Sequence, residues 1–128
     1  MVTHDELAGR ALAARQHAYA PYSNHPVGAT LLAADGRVFD GVSVENACIA
    51  AHICGTQGAF LNAVSQNVRE FTAVAIATEQ GAAPCGICRQ MIAEFAPDIT
   101  VLLVNSAGEF EELAFAEVMA RPFAKQPV

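Results

Sequence analysis

Tryptophan is absent from the 128 residues, tyrosine occurs twice, and the only lysine is Lys125. Charged residues make up just 16% of the chain and the net charge is −6. No run of Lys and Arg exists. Binding driven by a nucleic-acid backbone needs basic patches, so that class is excluded. No stretch of 18 apolar residues occurs, so no membrane-spanning helix is expected. The opening "MVTHDELAGR" has no basic region followed by an apolar run. No export signal is therefore expected, and the cytoplasm is the expected compartment. There the four cysteines at 48, 54, 85 and 88 stay reduced rather than pairing. Hydrophobic residues reach 53%, which argues against disorder. The length suits a single domain over 1–128 with one core. So low a charge fraction also suits a subunit that covers surface against its own copies.

The hydropathy pattern alternates between helix and strand. Thr3 is a good N-cap, and Leu7, Ala11, Ala14 and Ala18 recur at helical spacing, predicting a helix over 3–19. "APYSNHP" breaks it at 20–26. "VGATLLA" and "RVFDGVSV" flank Ala34-Asp35-Gly36, a hairpin pattern. Residues 54–66 predict a second helix, "FTAVAIAT" (71–78) a buried strand, and "ICRQMIAEF" a third helix ending before Pro97. "TVLLVN" (100–105) is a further buried strand, followed by a short edge strand and a short helix near 115–120. This alternation predicts an α/β sandwich around one mixed sheet.

Both remaining cysteine clusters fall at predicted helix starts. Cys85 and Cys88 form a Cys-x-x-Cys pair, and backbone N–H groups at a helix N-terminus favour thiolates that bind metal or do redox chemistry. Cys54 opens the preceding helix and offers a third sulfur. Three thiolates at tetrahedral zinc leave one position open for water, the arrangement of a catalytic site. Three other readings stand beside it. Cys48 or His52 could close a four-ligand structural site. Cys85 and Cys88 could be a redox dithiol. The cysteines could also be inert core residues.

"YAPYSNHPVGATLLAADGRVFDGVSVENA", a Cys at a helix start, and "PCGICRQMIAEF" together resemble the small zinc-dependent cytidine deaminases. The likeness runs to about Phe123, and Pro-Cys-Gly-x-Cys-Arg-Gln is intact at 84–90. The resemblance implies a three-layer α/β/α sandwich with one mixed five-stranded sheet, and Zn²⁺ on Cys54, Cys85 and Cys88. It also implies a homotetramer whose subunits complete one another's sites. The partner implied is a small nucleoside or base, with no nucleic acid and no membrane.

Several positions depart from that family. Its Cys-Ala-Glu-Arg segment reads Cys54-Gly55-Thr56-Gln57 here. By resemblance the glutamate is the general acid/base, which takes a proton from the attacking water and passes protons to the ring nitrogen and the leaving amine. Thr56 stands in that place with a hydroxyl that does not accept a proton at neutral pH. Loss of such a group typically lowers rates about 10²- to 10⁴-fold. Gln57 replaces an arginine that offsets thiolate charge, and Arg89 beside Cys88 is a replacement cation. The family's Tyr-Ser-x-Phe segment, whose Phe packs by the pyrimidine, reads Tyr22-Ser23-Asn24-His25, and its Asn-x-Glu-Asn segment reads Ser43-Val44-Glu45-Asn46. Glu45 keeps one expected ribose contact, while Ser43 reaches less far than the asparagine. Ile49 stands where the family carries a tyrosine. Phe123 matches an aromatic that approaches the site.

His25 admits three roles: an exposed loop histidine, a group that recognises a different ring, or a proton shuttle in place of the missing glutamate. His52 is expected on another face. The residues and the resemblance together point to a zinc-dependent aminohydrolase of a cytidine-like nucleoside or related aminated heterocycle. Its specificity is altered by Thr56, Gln57, His25 and Ser43. The competing function is a deaminase-fold protein that holds zinc and a nucleoside without turning it over.

Overall fold

The computed structural model describes residues 1–119; Phe123 lies outside them. Helix α1 spans His4–Arg15, and Thr3 caps it, its Oγ1 accepting the Glu6 N–H at 3.1 Å. The helix ends at Arg15 rather than near 19, and the reason is tertiary. The backbone of Tyr19 is committed elsewhere, donating to Ser43 O and accepting from the Glu45 N–H, each at 2.9 Å. Strands β1 (Gly28–Ala33) and β2 (Val38–Val42) form the expected hairpin. A 3-10 turn at Ile49–Ala51 leads to α2 (Gly55–Ser65), then β3 (Phe71–Ala77) and α3 (Gly86–Phe95). Strands β4 (Thr100–Val104) and β5 (Phe110–Ala114) and a short α4 (Phe115–Val118) follow.

Among the described residues five strands make one mixed sheet in the order β2-β1-β3-β4-β5. Only β3 and β4 run parallel, Val74 facing Val101 and Ile76 facing Leu103. A parallel pair needs a crossover, and α3 supplies it. The sheet is covered on both faces, as expected of a three-layer sandwich. Leu7, Ala8 and Ala11 of α1 pack on Ala73, Ala75, Ala77, Leu102 and Val104. Phe60 of α2 and Ile92 of α3 pack on Leu31, Val74, Ile76 and Val101 on the other face. The period-two alternation of β3 explains the split, with alanines toward α1 and branched residues toward α2 and α3. Phe60 anchors the second core, its ring centroid 5.2 Å from that of Phe71 and 6.0 Å from that of Phe95. Full burial of each large side chain there contributes about 1.5–3 kcal/mol.

Two glycines set how closely the helices approach. A Cβ on Gly28 would lie 2.4 Å from the Arg15 backbone nitrogen, and one on Gly41 would lie 2.0 Å from that of Ala59. Helices α1 and α2 therefore rest on bare sheet backbone. This seats the N-terminus of α2 beside the 78–85 loop, which runs from the end of β3 to the start of α3.

Candidate metal centre and adjoining cavities

Cys54 is the N-cap of α2, Cys85 is the N-cap of α3, and Cys88 lies in the first turn of α3. Their three sulfurs lie within 4.8 Å of one another, with Cys85 Sγ and Cys88 Sγ 3.3 Å apart. A tetrahedral zinc with bonds near 2.3 Å holds its sulfurs about 3.8 Å apart, so the donor set fits the ion in chemistry and in spacing. The Cys54 thiol is lowered to about 6, first because Cys88 donates to it and then because the Thr56 and Gly55 N–H groups point at it, against its burial. Cys88 is driven up by that same donation and by burial. The pair shares a proton that a metal would displace.

Cys48 and His52 stand outside this cluster. Cys48 is exposed, and its N–H donates to Asn46 Oδ1 at 2.9 Å. The His52 ring pairs through Nε2 with Asn46 O at 2.8 Å. Neither joins the three sulfurs, so the four-ligand closed site loses both of its proposed closures. A simple Cys85–Cys88 dithiol does not account for Cys54 in the same cluster.

Gln57 does more than remove a cation. Its Oε1 accepts the Cys54 N–H at 2.9 Å, closing the start of α2 around the sulfur. The sequence carries the signal for this role: a Gln three residues after an N-cap is a capping-box pattern. Arg89 braces the loop that carries Cys85, donating from Nε to Pro84 O at 2.7 Å and from Nη1 to Val118 O at 2.9 Å. Its place is one of scaffolding beside the thiols.

Two cavities meet at the thiols. One, of about 200 Å³, is lined by His25, Thr56, Ile76, Thr78 and Pro84, with Cys54 and Cys85 in its wall. The other, of about 240 Å³, is lined by Ser23, Ser43, Glu45, His52, Gln57 and Ile87. His25, Val27, Cys54 and Cys85 border both. Thr56 is fully buried, and among the described residues its Oγ1 is the only buried side-chain nitrogen or oxygen without a hydrogen-bond partner in the protein.

The other expected residues are partly occupied. Glu45 Oε1 accepts the Tyr22 N–H at 2.9 Å and the Ser23 N–H at 3.0 Å, and its Oε2 accepts the Ser23 hydroxyl. The Ser23 hydroxyl, ahead of these N–H groups, holds the Glu45 carboxyl below the usual carboxylate range, against its desolvation. Ser43 Oγ accepts the Val27 N–H at 3.0 Å, locking the strand that leads into β1. The exposed His25 is held through its backbone N–H, which donates to Ser23 Oγ at 3.0 Å. His52, expected on another face, lines the larger cavity, and its ring lies 6.2 Å from that of Tyr22. Two residues escaped the sequence reading. Ser23 fixes Glu45. Thr78 Oγ1 accepts the Ala82 N–H at 2.8 Å and shapes the loop before Cys85. The signal for Thr78 was a polar residue closing an apolar strand.

Residues 1–104 match the family model for the cytidine and deoxycytidylate deaminase zinc-binding region. The chain belongs to that family. Zinc is accordingly its cofactor, and the cysteine triad is the site that fits it. Among similar proteins, the cytidine deaminase of Sporosarcina psychrophila is 42% identical over 125 residues, covering 95% of this chain and 92% of that one. The cytidine deaminase of Halalkalibacterium halodurans is 37% identical, covering 94% and 93% of the two chains. The crystal structure of cytidine deaminase from Burkholderia pseudomallei superposes with a TM-score of 0.90 at 40% identity, over 94% of this chain and 99% of that one. The deaminase fold expected from the sequence is thus the fold observed. No helix among the described residues is long and apolar enough to cross a membrane.

Proposed function

We propose that this chain is a zinc-dependent hydrolytic deaminase of a cytidine-like nucleoside or a related aminated heterocycle. One observation carries the reading: the thiol cluster opens onto a cavity whose wall also holds His25 and Thr56. Cys54, Cys85 and Cys88 hold the metal, which when bound supplies Lewis acidity to an attacking water. Gln57 keeps Cys54 in register by capping α2. The ring of the substrate occupies the smaller cavity, where Val27, Ile76 and Pro84 exclude bulk water. Its sugar or other substituent lies in the larger cavity against Ser43 and Glu45. Glu45 is anchored by Tyr22 and Ser23 and so presents a fixed negative wall. Phe123, another expected contact, lies outside the described residues. His25, Ser43, Thr56 and Gln57 each stand in place of a different family residue and alter the specificity, His25 and Thr56 at the ring and Ser43 and Gln57 at its substituent. Exposed Ile49 and Ile87, 81% and 67% accessible, support assembly into a homotetramer, with Ile87 on the rim of the larger cavity. The unpaired thiols fit a reducing cytoplasm.

The hydroxyl at Thr56 favours a second reading, zinc and nucleoside binding without turnover, because it does not serve as an acid/base. Ammonia release by the zinc-loaded chain, across cytidine, deoxycytidine and other aminated bases, separates the two. Thr56→Glu runs beside it. Turnover of a panel member by the native chain supports the deaminase. Binding without ammonia from the native chain, with turnover by Thr56→Glu, supports the binding protein.

A further inference from the structure

Thr56 Oγ1 has no partner in the protein, and Thr56 lines a cavity of about 200 Å³, large enough for several waters. Among the described residues, and apart from the two cysteines, His25 is the one titratable side chain lining that cavity. Its loop is fastened from below, since Ser23 Oγ both accepts the His25 N–H and donates to Glu45. The chain thus brings together an unsatisfied hydroxyl, which orients a water, and an imidazole, which takes up and returns a proton.

We infer that Thr56 anchors a water that connects the reacting centre to His25, and that His25 carries the protons of the deamination. This rests on the deaminase reading above. The attacking water supplies both protons. As its oxygen bonds to the ring carbon bearing the amine, its first proton passes over the anchored water to the imidazole and from there to the ring nitrogen. The second proton comes from the new hydroxyl, by the same path, as the carbonyl forms. It reaches the amine as the C–N bond breaks and nitrogen leaves with the bonding pair as ammonia. His25 ends as it began. Thr56 is a positioning residue and never changes protonation.

The test uses the zinc-loaded full chain, a turned-over nucleoside from the panel, and the variants His25→Ala, Thr56→Val, Thr56→Ser and the pair His25→Ala with Thr56→Glu. The expected result is a kcat lowered about 100-fold or more in His25→Ala, with KM changed far less. Added imidazole recovers part of that rate. Thr56→Val, which keeps shape and loses the hydroxyl, falls at least about 10-fold, in the manner of lost general acid/base catalysis, while Thr56→Ser retains most activity. The double variant regains activity over His25→Ala because a carboxylate at 56 needs no relay. A high-resolution crystal structure shows an ordered water about 2.7–2.8 Å from Thr56 Oγ1, absent in Thr56→Val. A kcat for His25→Ala within threefold of native, equal rates for Thr56→Val and Thr56→Ser, or no water at Thr56 overturns the relay and leaves the deaminase standing. A native chain that binds nucleosides and releases no ammonia overturns both.

Discussion

Gln57 Oε1 accepts the backbone N–H of Cys54 at 2.9 Å, so the residue that closes the capping box of α2 also fixes the backbone of a metal-site cysteine. Gln57→Ala is expected to destabilise the metal-free chain by about 0.5–2 kcal/mol through the lost cap. Loss of a group that orients a ligand should also weaken zinc binding about 10- to 100-fold. Urea titration of the metal-free chain and zinc competition against a chelator measure the two effects. Unchanged zinc affinity would show that Gln57 does not set the position of Cys54.

Glu45 gives the fold a pH dependence of known sign. Its folded carboxyl titrates below the usual range because Ser23, and then Tyr22, donate to the ionised form. The ionised group therefore contributes stability above the unfolded value, and that contribution is lost as pH falls through the folded one. Glu45→Gln should be less stable than native near neutral pH, and the difference should shrink in acid. Urea midpoints at both pH values check this. A difference that stays constant would contradict it.

Packing makes opposite predictions for two glycines. Gly41→Ala forces a Cβ to within 2.0 Å of the Ala59 nitrogen and 2.4 Å of the Gly55 carbonyl. It should lose more than about 3 kcal/mol, the upper end of overpacking, and disturb the start of α2 with it. Gly9 lies on the exposed face of α1 with nothing within 4 Å of its would-be Cβ, so Gly9→Ala should gain about 0.5–1 kcal/mol. Thermal melts of both variants provide the comparison.

Thr56→Val should fold nearly as well as the native chain. The hydroxyl has no partner in the protein and bonds only to the inferred water, so a valine of the same shape loses at most the net worth of one hydrogen bond, about 0.5–1.5 kcal/mol. A clear fall in Tm would mean that the hydroxyl supports the fold.

Much of the fold and of the metal site could be read in the sequence because both rest on local pattern. Thr3 capped its helix as expected, and the runs at 71–78 and 100–105 became β3 and β4. Cys54 and Cys85 opened helices, which drew the three sulfurs together. Part of what escaped depended on partners outside the local pattern. Helix α1 stopped short because Tyr19 pairs with the 43–45 segment, and no periodicity reports that. Ser23 lies in the stretch that breaks the first helix, and its partner Glu45 comes from 22 residues away. His52 turned toward the larger cavity because Asn46 O holds its ring. Gln57 was read by charge alone, although its spacing from Cys54 announced a cap.

The most direct test of the deaminase account is a nucleoside balance on one sample of the native chain, stripped of zinc, reloaded, and stripped again. Substrate loss, product formation and ammonia are counted together. The account predicts one ammonia and one hydroxylated or keto product per nucleoside consumed, only in the loaded state, and none after Cys85→Ala. A loaded chain that binds the nucleoside and returns it unchanged would contradict it.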